Sequence, residues 1–279
     1  MRKYLFLLYS VFAFFQLFGA DFKEKLQFAE DLRKACLFDA SIKVLEELLL
    51  EKDAEFLLKH MAKKSLSKAY FQNENYENVI EVIDNEEDDE DLILLKAMAF
   101  NQLEKHTEAA LALLKTAVTK DPQIYEMAIA KFYLKEFSDA KSLFSSLLNS
   151  KIENFAALAE MYLVRIELAD QEFEKAARNL KNLLKKLPDA HPLSLQASYL
   201  QGKLFLSRHE YQKAAHAFQK ALLKKEEGFL SWQQPVFSLL DKSLQKAEKQ
   251  EANSSKDLYI KGLDEFKEGQ RLNLAGQKS

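Results

Sequence analysis

Residues 210–225 read EYQKAAHAFQKALLKK, and the fold turns on whether they form a single amphipathic helix or one copy of a repeat. Tyr211, Ala214, Phe218 and Ala221 stand at offsets of 3, 7 and 10 residues. At about 100° per residue these offsets fall within an arc of roughly 80°, one face of a helix. The same order recurs upstream at Phe173, Ala176, Leu180 and Leu183, and at Phe137, Ala140, Phe144 and Leu147. Thr107, Ala110, Leu114 and Ala117 fit it with Thr in the first slot. Weaker copies are Tyr76, Val79 and Ile83, where Glu86 breaks the fourth slot, and Phe38, Ser41, Leu45 and Leu48. The anchors at 41, 79, 110, 140, 176 and 214 stand on average about 35 residues apart, which accommodates two short helices and two turns.

Composition agrees with an all-α chain. Only 6 Gly and 4 Pro occur in 279 residues, while Leu, Ala, Lys and Glu, all strong helix formers, dominate. Length alone permits two globular domains. A repeat array predicts instead one elongated domain, held together between neighbouring hairpins rather than by a central core.

On these residues the chain resembles the tetratricopeptide-repeat family. Pro122 follows Ala110 by twelve residues and Pro188 follows Ala176 by twelve, where the family places the proline that ends its second helix. Gly202 precedes Ala214 by twelve, in the slot where the first helix carries a small residue so that the two helices approach closely. The departures are uneven spacing (38, 31, 30, 36 and 38 residues) and a Gly in only one of six copies. The resemblance covers residues 22 to about 228 and implies a right-handed α-solenoid of antiparallel hairpins. It predicts about six hairpins over 21–228, turning near Asn73, Lys105, Glu136, Gln171 and Arg208, capping helices over 229–270 and a frayed tail over 271–279.

The family's first helices line a concave groove that holds an extended peptide or a partner helix. Carried across, the groove slots are Tyr125, Ile129, Phe132 and Tyr133 in one unit, Met161 and Arg165 in the next, and Tyr199 and Lys203 in the last. Aromatics, Met and a few cations are the residue types expected where binding energy concentrates. Ile129 and Phe132 read equally well as interhelical core. A clamp for a chaperone-tail carboxylate is not implied, because its Lys and Asn slots hold Tyr125 and Ile129.

Residues 1–20, MRKYLFLLYSVFAFFQLFGA, place Arg2 and Lys3 before a chiefly apolar run and end in Gly19 and Ala20. This is the layout of a secretory signal peptide. Cleavage after Ala20 would leave bulky Phe18 at the third position before the cut, so an uncleaved membrane anchor is the alternative. Cys36 is the only cysteine, which forbids an intrachain disulfide, and burial as a small apolar residue is expected for it.

Nothing in the sequence calls for a catalytic centre, a cofactor or a metal. Six scattered glycines build no phosphate loop. In HEYQK, from His209, Lys213 stands where a zinc site needs its second His. His209 and His216 lack Cys or carboxylate companions, and His60, His106 and His191 are isolated. The acidic run ending in DNEEDDED reads as a solvated turn whose last carboxylates favour the N-terminus of the next helix. The Lys-rich stretch 171–226 reads as outer helix faces, since nucleic-acid binding would need a larger basic excess with aromatics among the charges. The expectation is therefore an exported, non-enzymatic scaffold that organises proteins in a bacterial-type cell envelope or periplasm, without nucleic acid. A cytosolic secretion chaperone of the same family is the alternative.

Overall fold

A computed structural model describes residues 21–51, 55–83, 89–152, 154–188, 191–222, 236 and 238–252. Residues 1–20, the final tail, Trp232 and Phe237 lie outside them. Among the described residues there is no strand. Twelve helices pair into six antiparallel hairpins, with bounds α1 Phe22–Lys34, α2 Phe38–Leu50, α3 Phe56–Gln72, α4 Tyr76–Ile83, α5 Glu90–Gln102, α6 His106–Leu113, α7 Asp121–Tyr133, α8 Phe137–Ser146, α9 Phe155–Ala169, α10 Phe173–Lys186, α11 Pro192–Ser207 and α12 Tyr211–Leu222.

Two compact units, Met1–Ile152 and Glu153–Ser279, meet in sequence between the fourth and fifth hairpins. At that connection α8 tightens into the 3₁₀ turn Leu147–Asn149, and Asn154 enters α9 in the left-handed conformation. Within each unit, first helices pack on second helices and on the next first helix, α1 on α3, α3 on α5, α5 on α7 and, in the second unit, α9 on α11.

All six hairpins turn by one backbone device. Cys36, Glu74, Glu104, Lys135, Gln171 and His209 adopt φ between 59° and 62°. Each stands two residues before the second helix. The amide after it donates back across the turn at 2.8–3.0 Å, from Leu37 to the Leu32 carbonyl, from Glu136 to Lys131 and from Glu210 to Phe205, with the same bonds in the other three. This is the Schellman closure, which satisfies orphan carbonyls at the end of the first helix and reverses the chain. It usually recruits Gly, yet none of the six positions has one. The expected turn positions are borne out. Cys36 is exposed on such a turn, not buried, because the left-handed corner projects away from both helices.

Measured from these turns, each first helix carries a small residue seven positions earlier: Ala29, Ser67, Ala97, Ala128, Val164 and Gly202, all buried. The matching anchors on the second helices are Ser41, Val79, Ala109, Ala140, Ala176 and Ala214, also buried. The slots meet directly in the first hairpin, where the Ser41 hydroxyl donates to the Ala29 carbonyl at 2.8 Å.

The third hairpin shifts the expected register by one residue. Its inward positions are His106, Ala109 and Leu113, while Leu114 is 68% exposed, because α6 ends at Leu113. Pro122 likewise begins α7 instead of ending α6, where its missing amide is harmless. Pro188 does follow the end of α10, after the C-cap residue Leu187.

Of the expected capping region, residues 238–252 are described and helical. Val236, Leu239 and Leu240 pack with Ala214, Phe218 and Ala221 of α12. The Lys246 ammonium lies 5.1 Å over the Tyr211 ring, and Gln212 donates to Glu251. The last hairpin's apolar stripe is thereby covered by a helix with a charged outer face, as the end of a repeat array requires.

Candidate partner-binding faces

In the first unit α7 presents the sequence-derived residues. Tyr125 is half-buried, its ring edge-on to the core ring of Phe144 at 6.2 Å. Ile129 is half-buried. Phe132 packs between Phe137 at 5.7 Å and Tyr133 at 5.3 Å. Tyr133 is 46% exposed, and its ring lies parallel to His106 at 4.5 Å with an interplanar angle of 8°. Three of the four residues thus share their surface with the interhelical core, and Tyr133 is the most exposed of the four.

Beneath Tyr133 runs a polar chain that the sequence reading missed. His106 Nδ1 lies 3.1 Å from Asn101 Oδ1. Asn101 Nδ2 donates to the Glu126 carboxyl at 2.8 Å and to the Glu126 carbonyl at 3.0 Å. With its amide nitrogen committed to Glu126, Asn101 offers His106 an acceptor, so Nδ1 carries the imidazole proton. Burial pushes the Glu126 carboxyl above the ordinary range, partly offset by the Asn101 bond. Burial also lowers His106, against the charges of Glu104 and Glu108. Burial thus disfavours the charged form of both groups, and the chain of hydrogen bonds joins α5, α6 and α7. The signal was the repeat itself, since His106 fills the slot that holds an aromatic in the other five hairpins.

In the second unit, α9 and α11 supply the face. Met161 is only 3% exposed and belongs to the core with Leu180 and Leu183, so it is not a groove residue. Its helix face turns toward α10 and α11, where the repeat stripe closes. Arg165 places its guanidinium carbon 4.8 Å over the Tyr162 ring. Tyr199 is half-buried, its ring 6.1 Å from Phe218, and the Lys203 ammonium lies 5.7 Å over it.

The end of the acidic run, from Asp89 on, links two hairpins, while residues 84–88 lie outside the described residues. Asp89 caps α5, accepting from the amides of Asp91 at 2.9 Å and Leu92 at 3.2 Å. Its other oxygen meets His60 Nε2 at 3.0 Å and the Lys64 ammonium at 3.2 Å, both on α3. Burial would raise the Asp89 carboxyl, but the bonds from His60, Leu92 and Lys64 outweigh it and hold the group low. Among the described residues, no group of three or more His, Cys, Asp or Glu is placed to hold a metal, and no helix is long and apolar enough to cross a membrane.

A face built from successive first helices, over hairpins closed by a recurrent turn, is the architecture of a helical-repeat protein. Residues 162–228 match the tetratricopeptide-repeat family model. The fold is similar to a tetratricopeptide repeat protein from Parabacteroides merdae, with TM-score 0.58 and 11% identity over 80% of this chain and 84% of that one. It is also similar to a chain of the Cut9–Hcn1 hetero-tetramer of APC/C, with TM-score 0.52 and 17% identity over 76% of this chain and 40% of that one. No curated protein sequence matches the chain. The fold is therefore that of tetratricopeptide-repeat proteins, and residues 162–228 carry the match to that family's model.

Proposed function

We propose that this protein is an exported, non-enzymatic scaffold that holds protein partners on its first-helix faces and organises them in a bacterial-type cell envelope. The observation that carries the binding part is the aromatic surface of α7, where Tyr133, stacked on His106, leaves 46% of its surface open. A rigid, half-desolvated aromatic is the kind of residue on which binding energy concentrates. Export is supported by the charged, apolar and small-residue layout of residues 1–20. Bulky Phe18 at the third position before the cut leaves an uncleaved anchor as the alternative form of the same reading.

Intact-mass measurement on the native protein, with fractionation of its cells, tests export. A mass lacking residues 1–20, or full-length protein in the membrane fraction, is expected. Full-length protein in the soluble cytosol sinks the export reading and leaves the secretion-chaperone alternative. Partner capture from envelope extracts, followed by titration of the identified partner against the Tyr133→Ala protein, tests the binding face.

A further inference from the structure

One edge of the first unit carries a row of exposed apolar side chains. Leu50 ends α2 and is 80% exposed, and Phe56, which begins α3, is 85% exposed with Leu57 open beside it. Leu114, just after α6, and Leu148 and Ile152, after α8, are exposed as well. Polar contacts between successive hairpins place these connections on the same edge. His60 of α3 meets Asp89 at the start of α5, the Lys120 ammonium at the start of α7 meets Glu90 at 2.7 Å, and the Ser150 hydroxyl donates to Asp121. The opposite edge holds the turns, whose corners are Cys36, Glu74, Glu104 and Lys135. Single exposed apolar residues are ordinary on a protein surface, but a row of them along one edge marks a contact surface.

The chain enters the fold at this edge. Asp21 caps α1, accepting from the Glu24 amide at 2.9 Å, and Lys25 pairs at 2.7 Å with Glu51, the residue after α2. Asp21 alone therefore separates the apolar run of residues 1–20 from α1. With that run held in a bilayer as an anchor, a single residue cannot let the body stand away from the membrane, and the edge with Leu50, Phe56 and Leu57 lies at the lipid headgroups. Charge does not supply the attraction. The carboxylates of Glu51, Asp89, Glu90 and Asp91 pair with Lys25, Lys64 and Lys120 along this edge, which leaves contact to the apolar side chains.

We propose that this edge of the first unit is a membrane-contact surface, with Leu50, Phe56 and Leu57 entering the boundary between headgroups and acyl chains beside the anchored residues 1–20. Shallow burial of an apolar face is how surface-bound segments hold to a bilayer, and its strength grows with the apolar area removed from water. The 13 residues of α1 span about 20 Å, so the turn edge stands clear of the lipid. Tyr133, two residues before the Lys135 corner, is thereby presented to partners on the side away from the membrane. This inference rests on the anchored form of the reading proposed above.

The test uses the full chain in phosphatidylcholine vesicles with an environment-sensitive fluorophore on one of two edges. The label is attached either to Cys36, the sole cysteine and exposed on a turn, or, with Cys36→Ser, at position 57 through Leu57→Cys. The label at position 57 is expected to shift its emission to the blue and to be quenched by lipids carrying a nitroxide on the acyl chain, and the label on Cys36 to do neither. Leu50→Asp with Phe56→Asp alters only exposed side chains and should abolish the quenching at position 57 while circular dichroism and flotation with the vesicles are retained. The comparison of the two labels stands without that variant. Equal quenching at the two positions, or none at position 57 in a chain that floats with the vesicles, overturns the proposal and leaves attachment through residues 1–20 standing. A blue shift at position 57 without lipid quenching assigns the edge to residues 1–20 or to a second copy and also overturns it, as does quenching that requires phosphatidylglycerol. A chain that does not float with the vesicles removes the anchor, and the proposal falls with it.

Discussion

The ring of Phe218 in α12 lies directly over the backbone of Gly202 in α11. A Cβ added at Gly202 would fall 2.6 Å from Cδ1 and 2.7 Å from Cζ of that ring. Phe218 is fully buried against Ala214, Ala221 and Val236 and cannot yield without disturbing the packing of residues 236–240. Gly202→Ala should therefore destabilise the protein by about 1–3 kcal/mol despite the better helix propensity of Ala. Adding Phe218→Leu should recover part of that loss in a denaturant titration. If the two substitutions are instead simply additive, the close approach does not limit this hairpin.

The left-handed corners carry a cost that Gly would remove. Lys135 adopts φ 62° and is exposed, so its side chain contributes little while its Cβ opposes the conformation. Lys135→Gly should raise stability by about 0.5–1 kcal/mol, the relief of the left-handed conformation less the greater unfolded-state entropy of Gly. Lys135→Val should lower it, because a β-branched residue is the least tolerated at positive φ. Thermal unfolding of the two variants beside the parent checks both signs.

The contrast between these features marks what can be read from sequence. The stripe Tyr211, Ala214, Phe218, Ala221 and its copies placed all six second helices, because burial enforces the residue type at each inward position. The third copy slipped by one residue because His106 fills the aromatic slot, and Thr107 beside it matched a pattern that tolerates Thr. The six left-handed corners hold Cys, Glu, Glu, Lys, Gln and His, none of them a residue that announces positive φ, so only the hairpin length pointed to them. Met161 had the spacing of a groove residue, but spacing does not tell which neighbour covers a side chain. Nothing in the sequence around Glu126 marks it as buried, since its partner Asn101 stands twenty-five residues away.

That buried carboxyl makes stability depend on pH. The folded-state value of Glu126 lies above its ordinary 4.5, so the unfolded chain releases the proton first. Stability is then full below about pH 4.5 and falls as pH rises toward the folded-state value, by about 1.4 kcal/mol for each pH unit inside that window. Glu126→Gln keeps an acceptor for Asn101 and removes the titration. It should match the parent in acid, exceed it above the window and flatten the pH profile in urea titrations. An unchanged profile would place the pH dependence elsewhere.

Asp89 has the opposite sign. Its folded-state value is lowered by His60, the Leu92 amide and Lys64 acting against burial, so its contribution is present above its unfolded value and lost as pH falls through the folded one. Asp89→Ala loses both the α5 cap and the pairing to α3, and should cost about 1–2 kcal/mol near neutral pH. Asp89→Asn keeps a good capping side chain and should cost less. Hydrogen exchange on α4 and α5 should report the change locally, since this side chain ties the second hairpin to the third. Equal losses for Asn and Ala would mean that the charge pairing, and not the cap, accounts for the whole effect.

The aromatic residues of α7 separate binding from stability. Phe144 is fully buried, and Phe144→Ala should cost about 3–5 kcal/mol. Tyr125 touches that ring edge-on, so Tyr125→Ala should lower stability and partner affinity together and cannot by itself identify a binding residue. Tyr133 differs because it is 46% exposed, with the parallel His106 ring and the edge-on Phe132 ring as its ring contacts. Tyr133→Ala should lower stability by no more than about 1 kcal/mol, the size of an aromatic pair term. It should weaken the identified partner by about 1–2 kcal/mol or more. Tyr133→Phe retains the ring and should retain most of the affinity, since the expected contact is the ring face and not the hydroxyl. Calorimetric titration alongside thermal unfolding resolves the two quantities. A Tyr133→Ala protein that unfolds like the Phe144 variant, or that binds its partner like the parent, removes this face from the interaction.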